Sequence, residues 1–301
     1  MNSPQLLNKG DKAMIVAPSG KLPKDGIDEA IIMLKNWGLE VVLGEYLYSN
    51  FGVFAGNDSE RQSDFQQALD DSTIKLILCA RGGYGFSRFL DNLSFSNFVK
   101  YPKWVVGFSD VTAFHLDAIN NGMLTIHGPM ATSFSREGAD ESILALYELL
   151  FKGKSTIKIN AKQLKEGVVS GELIGGNLAL ICDSLGTLSE ISTEDKILVI
   201  EDVGEYYYRI DRLLNQLARA GKFSKLKGVV VGDFTEMTNG DTPFNETIEE
   251  MIARLTKEFD FPIAMSMPIG HQPQNFPFVH GAEYRLKVSE NTARLELLTK
   301  L

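Results

Sequence analysis

The 301-residue chain has little cysteine, more acidic than basic residues and no long apolar run. Its two cysteines, Cys79 and Cys182, lie within apolar segments, and with only four histidines they form neither a disulfide framework nor a zinc-finger spacing. Thirty basic and 39 acidic residues give a net charge of −9, which disfavours binding to nucleic acids and to anionic membranes. No apolar run reaches the roughly 18 residues that cross a bilayer, and the first residues lack the apolar core of a signal peptide. We therefore expect a soluble, cytoplasmic protein without a metal site, a nucleic-acid partner or a membrane partner.

The composition is that of a globular protein, with 44% hydrophobic and 23% charged residues, and the length predicts about two domains. Short apolar segments alternate with segments of helical period in the first half, which is typical of a parallel sheet covered by helices on both faces. The predicted strands of this half are Lys12–Ala17, Leu39–Leu43, Ile74–Ala80, Trp104–Gly107 and Leu124–His127. Asp140 is predicted to cap the helix that follows them. We predict an N-terminal α/β domain over 1–152, a polar linker over 153–169 and a C-terminal domain over 170–301.

A glycine-rich segment, Arg81–Gly85, follows the third predicted strand. Ligands of open parallel sheets bind at the carboxyl ends of the strands, so this segment stands at a favourable place. It lacks the Lys-Ser/Thr ending of a Walker A loop and the spacing of a dinucleotide fingerprint. Two interpretations stay open: a plain tight turn, or a loop whose N–H groups bind an anion or an oxyanion.

Ser109 follows the fourth predicted strand, in the segment Gly107-Phe108-Ser109-Asp110, and a helical stretch comes next. A serine on a sharp strand-to-helix turn is placed like the nucleophile of a hydrolase, although the second glycine of the usual elbow motif is absent. The alternative interpretation is that Ser109 or Asp110 only caps the following helix.

A nucleophilic serine needs a base, and the chain offers four histidines. His115 lies six residues after Ser109, which places it on a different side of a helix. His127 ends a predicted strand, and His280 precedes the last predicted hairpin. His271 lies in a Gly/Pro-rich loop, which is a favourable place for a functional residue.

A catalytic histidine is oriented by a carboxylate, and three candidates follow the apolar strand that ends at Ile200. Glu201 and Asp202 are adjacent at the strand end, and Glu205 comes three residues later. Helix-entry charge or an ion pair with Arg209 or Arg212 is the alternative role for at least two of these acids.

Eight segments along the chain, each weak alone, together resemble the serine LD-carboxypeptidase family, which includes murein tetrapeptide carboxypeptidases and microcin C immunity peptidases. The segments are Gly10–Ser19, Phe54–Arg61, Cys79–Gly85, Gly107–Asp110, His127–Pro129, Gly175–Asn177, Ile200–Arg212 and Pro268–His271. They run almost end to end and stand in the family's order, which makes the resemblance specific. It implies a flavodoxin-like N-terminal domain, similar to class I glutamine amidotransferases, with a smaller α/β C-terminal domain.

The resemblance also implies the roles of the candidate residues. Ser109 would be the nucleophile, His271 the general base and Glu201 the carboxylate that orients it. The backbone N–H groups of Gly83 and Asp110 would form the oxyanion hole. The family uses no metal or other cofactor, and its members are often homodimers.

The implied reaction is hydrolysis of the L,D bond that releases the terminal D-alanine of a murein tetrapeptide, in peptidoglycan recycling. Arg81, Gly82 and Arg209 are candidates for binding the peptide carboxylate, which needs a cation or backbone donors. Two alternatives stay open. One is an immunity-type peptidase that cleaves aminoacyl-nucleotide conjugates, and the other is a non-catalytic module that binds a small molecule.

Overall fold

The computed structural model describes residues 1–23 and 25–301, and its internal contacts divide the chain into two compact units. The N-terminal unit comprises Met1–Ser155, Pro273–Gly281 and Lys300–Leu301. The C-terminal unit comprises Thr156–Gln272 and Ala282–Thr299. The segment Pro273–Gly281, which the sequence prediction assigned to the C-terminal domain, thus packs with the N-terminal unit.

A six-stranded sheet forms the centre of the N-terminal unit, as far as its residues are described. Its strands are β1 (Lys12–Val16), β2 (Glu40–Leu43), β3 (Ile74–Cys79), β4 (Trp104–Gly107), β5 (Thr125–His127) and β11 (Phe278–His280). The order β2-β1-β3-β4-β5, all parallel, is that of flavodoxin-like folds. Strand β11 pairs antiparallel with β5, and these main-chain bonds explain why Pro273–Gly281 belongs to this unit.

Helices connect the parallel strands of this sheet, and the last helix of the list follows β5. They are α1 (Asp28–Asn36), α2 (Asp58–Asp70), α3 (Ser96–Lys100), α4 (Thr112–Asn120) and α5 (Asp140–Lys152). Helix α2 begins with a capping box, in which the Asn57 side chain accepts from the Glu60 N–H and Glu60 accepts from the Asn57 N–H. The predicted cap of α5 is wrong: Ala139 holds the cap position and Asp140 is the first helical residue, where its charge favours the helix N-terminus.

The C-terminal unit is built on a mixed sheet of seven strands within its described residues. They are β6 (Thr156–Ile159), β7 (Gly167–Asn177), β8 (Lys196–Val203), β9 (Gly228–Thr235), β10 (Ile263–Ala264), β12 (Glu283–Ser289) and β13 (Thr292–Leu297). Strands β7 to β10 are parallel neighbours, and β12, β13 and β6 add an antiparallel half. The buried parallel strand β8 carries a continuous apolar run, whereas exposed and buried residues alternate along β12. The helices of this unit are α6 (Leu178–Asp183), α7 (Tyr207–Arg219) and α8 (Ile248–Thr256).

The α/β class with a parallel N-terminal sheet is confirmed. The predicted linker range 153–169 contains β6 and the start of β7, so part of this polar stretch is regular structure. Both strands find partners in the antiparallel half of the second sheet. As boundaries of separately folding domains, residues 152 and 170 stay a prediction. None of the helices in the described residues combines the length and the apolar character needed to cross a membrane.

Candidate active site

Ser109 stands on the sharp turn that the sequence predicts between β4 and α4. Phe108 is extended, and a 3₁₀ turn, Ser109–Val111, leads into the helix. Ser109 has a φ of 62°, a left-handed conformation that is uncommon for residues other than glycine. Gly107 is required before it, because an added Cβ would lie 2.9 Å from both γ carbons of Val111. A strained backbone at a half-buried serine is a feature of functional turns rather than of ordinary helix entry.

The interpretation of Ser109 and Asp110 as helix caps is wrong. Helix α4 begins at Thr112 without a side-chain cap among the described residues. The Asp110 carboxylate is buried, and its Oδ2 accepts from the Ser19 hydroxyl at 2.5 Å and from the Phe86 N–H at 2.8 Å. Asp110 therefore binds two other loops instead of its own helix.

The glycine-rich segment Arg81–Gly85 lies directly against Ser109. A Cβ added to Gly82 would lie 3.0 Å from the Ser109 Cβ and 3.1 Å from its Oγ, so only glycine leaves room for the serine side chain. Gly83 has a φ of 111° and Gly85 a φ of 130°, both favourable only for glycine. The Gly20 N–H donates to the Gly82 carbonyl at 2.9 Å. This loop thus packs closely against the serine side chain.

Arg81, a candidate for binding substrate, is exposed, and its Nη1 donates to the Lys21 carbonyl at 2.7 Å. Arg209 is also exposed and pairs with Glu205, with 3.2 Å between Nε and Oε2. Arg212 lies over the Tyr208 ring, 5.3 Å from its centroid. All three cations thus have neighbours inside their own unit.

Glu201 and His271 are in direct contact in the C-terminal unit. The His271 Nδ1 lies 2.7 Å from Glu201 Oε2, and the Glu201 side chain is fully buried while that of His271 is 17% exposed. The loop of His271 approaches β8 closely at Gly270, where an added Cβ would lie 2.9 Å from Glu201 Oε2. A carboxylate at Nδ1 fixes the imidazole tautomer and leaves Nε2 as the atom that can accept a proton.

The other two acids of this segment have different neighbours. Asp202 accepts hydrogen bonds from Asn177 Nδ2 at 3.0 Å, from the Ala179 N–H at 3.0 Å and from the Val203 N–H at 2.9 Å. Burial raises the pKa of Asp202 to about 6. Glu205 forms the ion pair with Arg209. The ion-pair alternative thus fits Glu205, whereas Asp202 is bound by an amide and two backbone N–H groups, and Glu201 is the acid in contact with the histidine.

Two residues that were not predicted as site residues support the loops around Ser109 and His271. Arg61 is buried on α2, although it is charged, and donates to carbonyls of neighbouring loops. Asp233, at the end of β9, donates its N–H to the Ile269 carbonyl at 2.8 Å and accepts at its side chain from the Gln272 N–H. Burial raises the pKa of Asp233 to about 6. Arg61 shares a helix face with Phe65 and Ala68, at spacings of four and seven residues, and this apolar face is the signal that could have identified it.

The other three histidines are buried in the N-terminal unit. The rings of His115 and His280 stack with 4.6 Å between centroids, and His127 stacks on Phe278 at 4.8 Å. His115 is held by Thr125 Oγ1 and the Gly107 carbonyl, each at 2.9 Å. Burial lowers the pKa of His115 to about 4, and it lowers the pKa of His280 well below the usual value. These contacts are typical of structural histidines.

Buried neutral histidines predict acid sensitivity. Below about pH 6.5 the unfolded chain binds protons that the folded chain does not, so the free energy of unfolding falls as the pH drops from 6.5 towards 4. For His115 we expect a loss of about 2 kcal/mol between pH 7.5 and pH 5. Urea unfolding of the protein and of His115→Gln at both pH values measures it. Parallel pH dependences of the two proteins would contradict the prediction. Carboxyls with a raised pKa act in the opposite sense in both proteins and cancel in the comparison.

Other nucleophiles and metal sites receive no support. Both cysteines are buried and free, and burial raises the pKa of Cys182 to about 12 and that of Cys79 further still, so both thiols are neutral. Within residues 1–23 and 25–301, no group of three or more His, Cys, Asp and Glu side chains is arranged to hold a metal ion.

Two models of known protein families match this chain. Residues 14–128 match the family model described as "LD-carboxypeptidase N-terminal domain", and residues 170–286 match "LD-carboxypeptidase C-terminal domain". The "Probable murein peptide carboxypeptidase" of Bacillus subtilis is 35% identical over 300 residues, covering 97% of this chain and 94% of its own.

Solved structures are also similar to this protein. The crystal structure of muramoyltetrapeptide carboxypeptidase from Oxalobacter formigenes is 29% identical with a TM-score of 0.87, over 95% of this chain and 98% of its own. An MccF-like protein from Bacillus anthracis shares the fold, with a TM-score of 0.89 over 100% of both chains at 23% identity. The family models cover most of both halves of the chain, and the chain therefore belongs to the LD-carboxypeptidase family of serine-type peptidases.

Proposed function

We propose that this protein is a cytoplasmic LD-carboxypeptidase that releases the terminal D-alanine from murein tetrapeptides. The observation that carries the proposal is the similarity to the murein peptide carboxypeptidase of Bacillus subtilis over almost the entire chain. Ser109 on its strained turn and the buried Glu201–His271 pair supply the chemistry that such an enzyme needs. The family resemblance also supports a homodimer, which light scattering during gel filtration would test.

In the proposed reaction Ser109 Oγ attacks the carbonyl carbon of the L,D bond while His271 Nε2 accepts its proton. Glu201, bound at Nδ1, stabilises the imidazolium that forms. The N–H groups of Gly83 and Asp110 stabilise the oxyanion of the tetrahedral intermediate. Its collapse releases D-alanine, whose amine takes the proton from His271, and water then hydrolyses the acyl-enzyme by the reverse sequence.

A carboxypeptidase must also recognise the free carboxylate of its substrate. With a net charge of −9 the protein needs local donors or cations to hold an anionic peptide. We assign this role to the Gly82 amide with Arg81, and to Arg209. Both arginines are exposed. Arg81 donates to one carbonyl and Arg209 pairs with one carboxylate, and each guanidinium carries five N–H donors, so further N–H groups can bind a ligand.

If the enzyme must bind the terminal carboxylate, the rate of cleavage should depend strongly on a free C-terminus of the peptide. Amidation of the terminal D-alanine, or extension of the tetrapeptide to a pentapeptide, is expected to lower kcat/KM by about 10³-fold, because the charge-assisted bonds to the terminal carboxylate are lost or blocked. Mass spectrometry of the products from a panel of muropeptides, with the free-acid tetrapeptide as the reference, measures the effect.

The same panel, together with an aminoacyl-nucleotide conjugate and an active-site phosphonate, separates the proposed function from its alternatives. Cleavage of the amidated peptide as fast as the free acid would contradict the carboxypeptidase assignment and leave a serine hydrolase. Cleavage of an aminoacyl-nucleotide conjugate, but of no tetrapeptide, would favour the immunity-type peptidase. Failure of an active-site phosphonate to label Ser109, together with unchanged peptides, would favour a non-catalytic binding module.

A further inference from the structure

Two buried ions of the N-terminal unit converge on a single peptide bond. The Gly85 carbonyl accepts from Arg61 Nη1 at 2.7 Å, and the N–H of the same peptide unit, that of Phe86, donates to Asp110 Oδ2 at 2.8 Å. Arg61 and Asp110 are each only 1% exposed. The carbonyl and the N–H of this peptide unit are therefore both bound by charged groups. The site is buried, and hydrogen bonds to charged groups are strong and directional in such an environment.

The same two ions hold the loop that follows β1. Arg61 Nη1 also donates to the Pro18 carbonyl at 2.5 Å, and Asp110 Oδ2 also accepts from the Ser19 hydroxyl at 2.5 Å. The backbone bond from the Gly20 N–H to the Gly82 carbonyl joins the two loops at a further point. The loops after β1 and β3 lie where the strand order of a flavodoxin-like sheet reverses, which is the usual ligand site of this fold.

The remaining contacts of Arg61 fix the guanidinium itself. Nε donates to the Gly56 carbonyl at 3.3 Å, and Nη2 pairs with Asp58. The guanidinium lies over the rings of Phe54 and Phe89, at 4.9 and 5.2 Å from their centroids. Gly85 must be glycine for this approach, because an added Cβ would lie 2.7 Å from Arg61 Nη1.

Burying two ions is costly, and apolar side chains would fill the space at a lower cost in stability. What the ions add is a fixed orientation of the peptide planes in a loop that contains three glycines and would otherwise be mobile. The orientation matters because Gly82 contacts Ser109 and Gly83 is the proposed oxyanion donor. Asp110 follows Ser109 directly in the chain, so one residue connects the serine turn to the glycine loop.

We propose that Arg61 and Asp110 form a clamp on the Gly85–Phe86 peptide that holds the glycine loop in register with Ser109, making both side chains positioning residues of the reaction. The catalytic role of the clamp rests on the proposed function. The Asp110 side chain acts here separately from its own N–H group, which substitution by alanine or asparagine retains.

The test compares variants of the clamp with a matched control. Asp110→Ala and Arg61→Met are expected to lower kcat by about 10²-fold while KM changes less than about threefold, since a displacement of about 1 Å costs that much. Asp110→Asn keeps an oxygen that can accept both bonds and should recover most of the loss. Lys103→Met is the control: Lys103 is also a buried cation bound to two carbonyls, those of Ala68 and Asp71, but it precedes β4 at the opposite end of the strand from Ser109.

Rates are normalised to the folded fraction, and two further readouts do not depend on the peptide substrate. The rate at which a fluorophosphonate labels Ser109 should fall in parallel with kcat in the clamp variants and stay unchanged in Lys103→Met. Hydrogen exchange of a peptide spanning residues 81–90 should accelerate in Asp110→Ala. If the clamp variants label Ser109 at the wild-type rate, or the exchange is unchanged, the clamp is contradicted. A wild-type protein that is labelled at Ser109 but cleaves no tetrapeptide would contradict the proposed substrate, and the labelling rates would still decide the clamp.

Discussion

Ser109→Ala is expected to lower kcat/KM on a murein tetrapeptide by about 10⁴- to 10⁶-fold, the loss typical of a nucleophile that acts as one unit with its base. In the proposed mechanism Ser109 Oγ forms the acyl-enzyme, and neither cysteine can replace it, since both thiols are buried and neutral. The fold should stay intact, because the change removes a single oxygen from a half-buried side chain. Product formation measured over hours, with circular dichroism and thermal unfolding as controls, gives the result.

The left-handed backbone at Ser109 allows a second variant, Ser109→Gly, to serve as a control for backbone strain. Ser109→Ala retains the same strained φ of 62°, whereas Ser109→Gly relieves it and also lacks the hydroxyl. Both variants should be equally inactive, and the glycine variant should be at least as stable as the alanine variant. Full turnover by a well-folded Ser109→Ala protein would contradict the serine mechanism.

His271→Ala should cost a factor similar to that of Ser109→Ala, and the double variant should be no worse than either single variant. In the proposed mechanism the imidazole accepts the serine proton and then donates it to the leaving amine, so its loss would stop both steps. Glu201→Gln keeps the size of the side chain but removes the charge that stabilises the imidazolium, and we expect a loss of about 10³- to 10⁴-fold.

His127→Ala is the matched control for the base. His127 is buried against Phe278 in the sheet of the N-terminal unit, so its removal should lower stability and leave kcat within about tenfold. Steady-state kinetics of the three variants at one pH measures the ranking. A greater loss in His127→Ala than in His271→Ala would move the role of base to His127.

The sequence carries enough information to predict the parallel sheet and the serine turn, because both depend on local patterns. The five strands of the first half are short apolar runs, and each recurs in the structure within a residue or two of its predicted bounds. The turn at Ser109 follows from a strand, a glycine and a helical period in succession. The φ of 62° at Ser109 could not be predicted, because it is imposed by the surrounding contacts and not by serine itself.

Features that depend on distant partners escaped prediction. Strand β7 carries four glycines and reads as weak structure, yet it is stabilised by neighbours on both sides, and Gly175 is required because an added Cβ would lie 2.1 Å from the Val199 carbonyl. The helical spacing places Arg61 on the apolar face of α2, but the loop carbonyls that it binds are distant in sequence and could not be predicted. The local pattern left three acids open, and only the family resemblance selected Glu201, because the position of the His271 loop is not visible in the local sequence.

Strand β11 has a consequence for the order in which the chain can fold during synthesis. Residues 278–280 complete the edge of a sheet whose other five strands are finished by residue 127. On the ribosome about 150 residues must emerge after β5 before its open edge is covered, a long interval in which an unpaired edge can join another nascent chain. Protease digestion of released chains would show this as a gain of resistance when the chain is long enough to include residues 278–280.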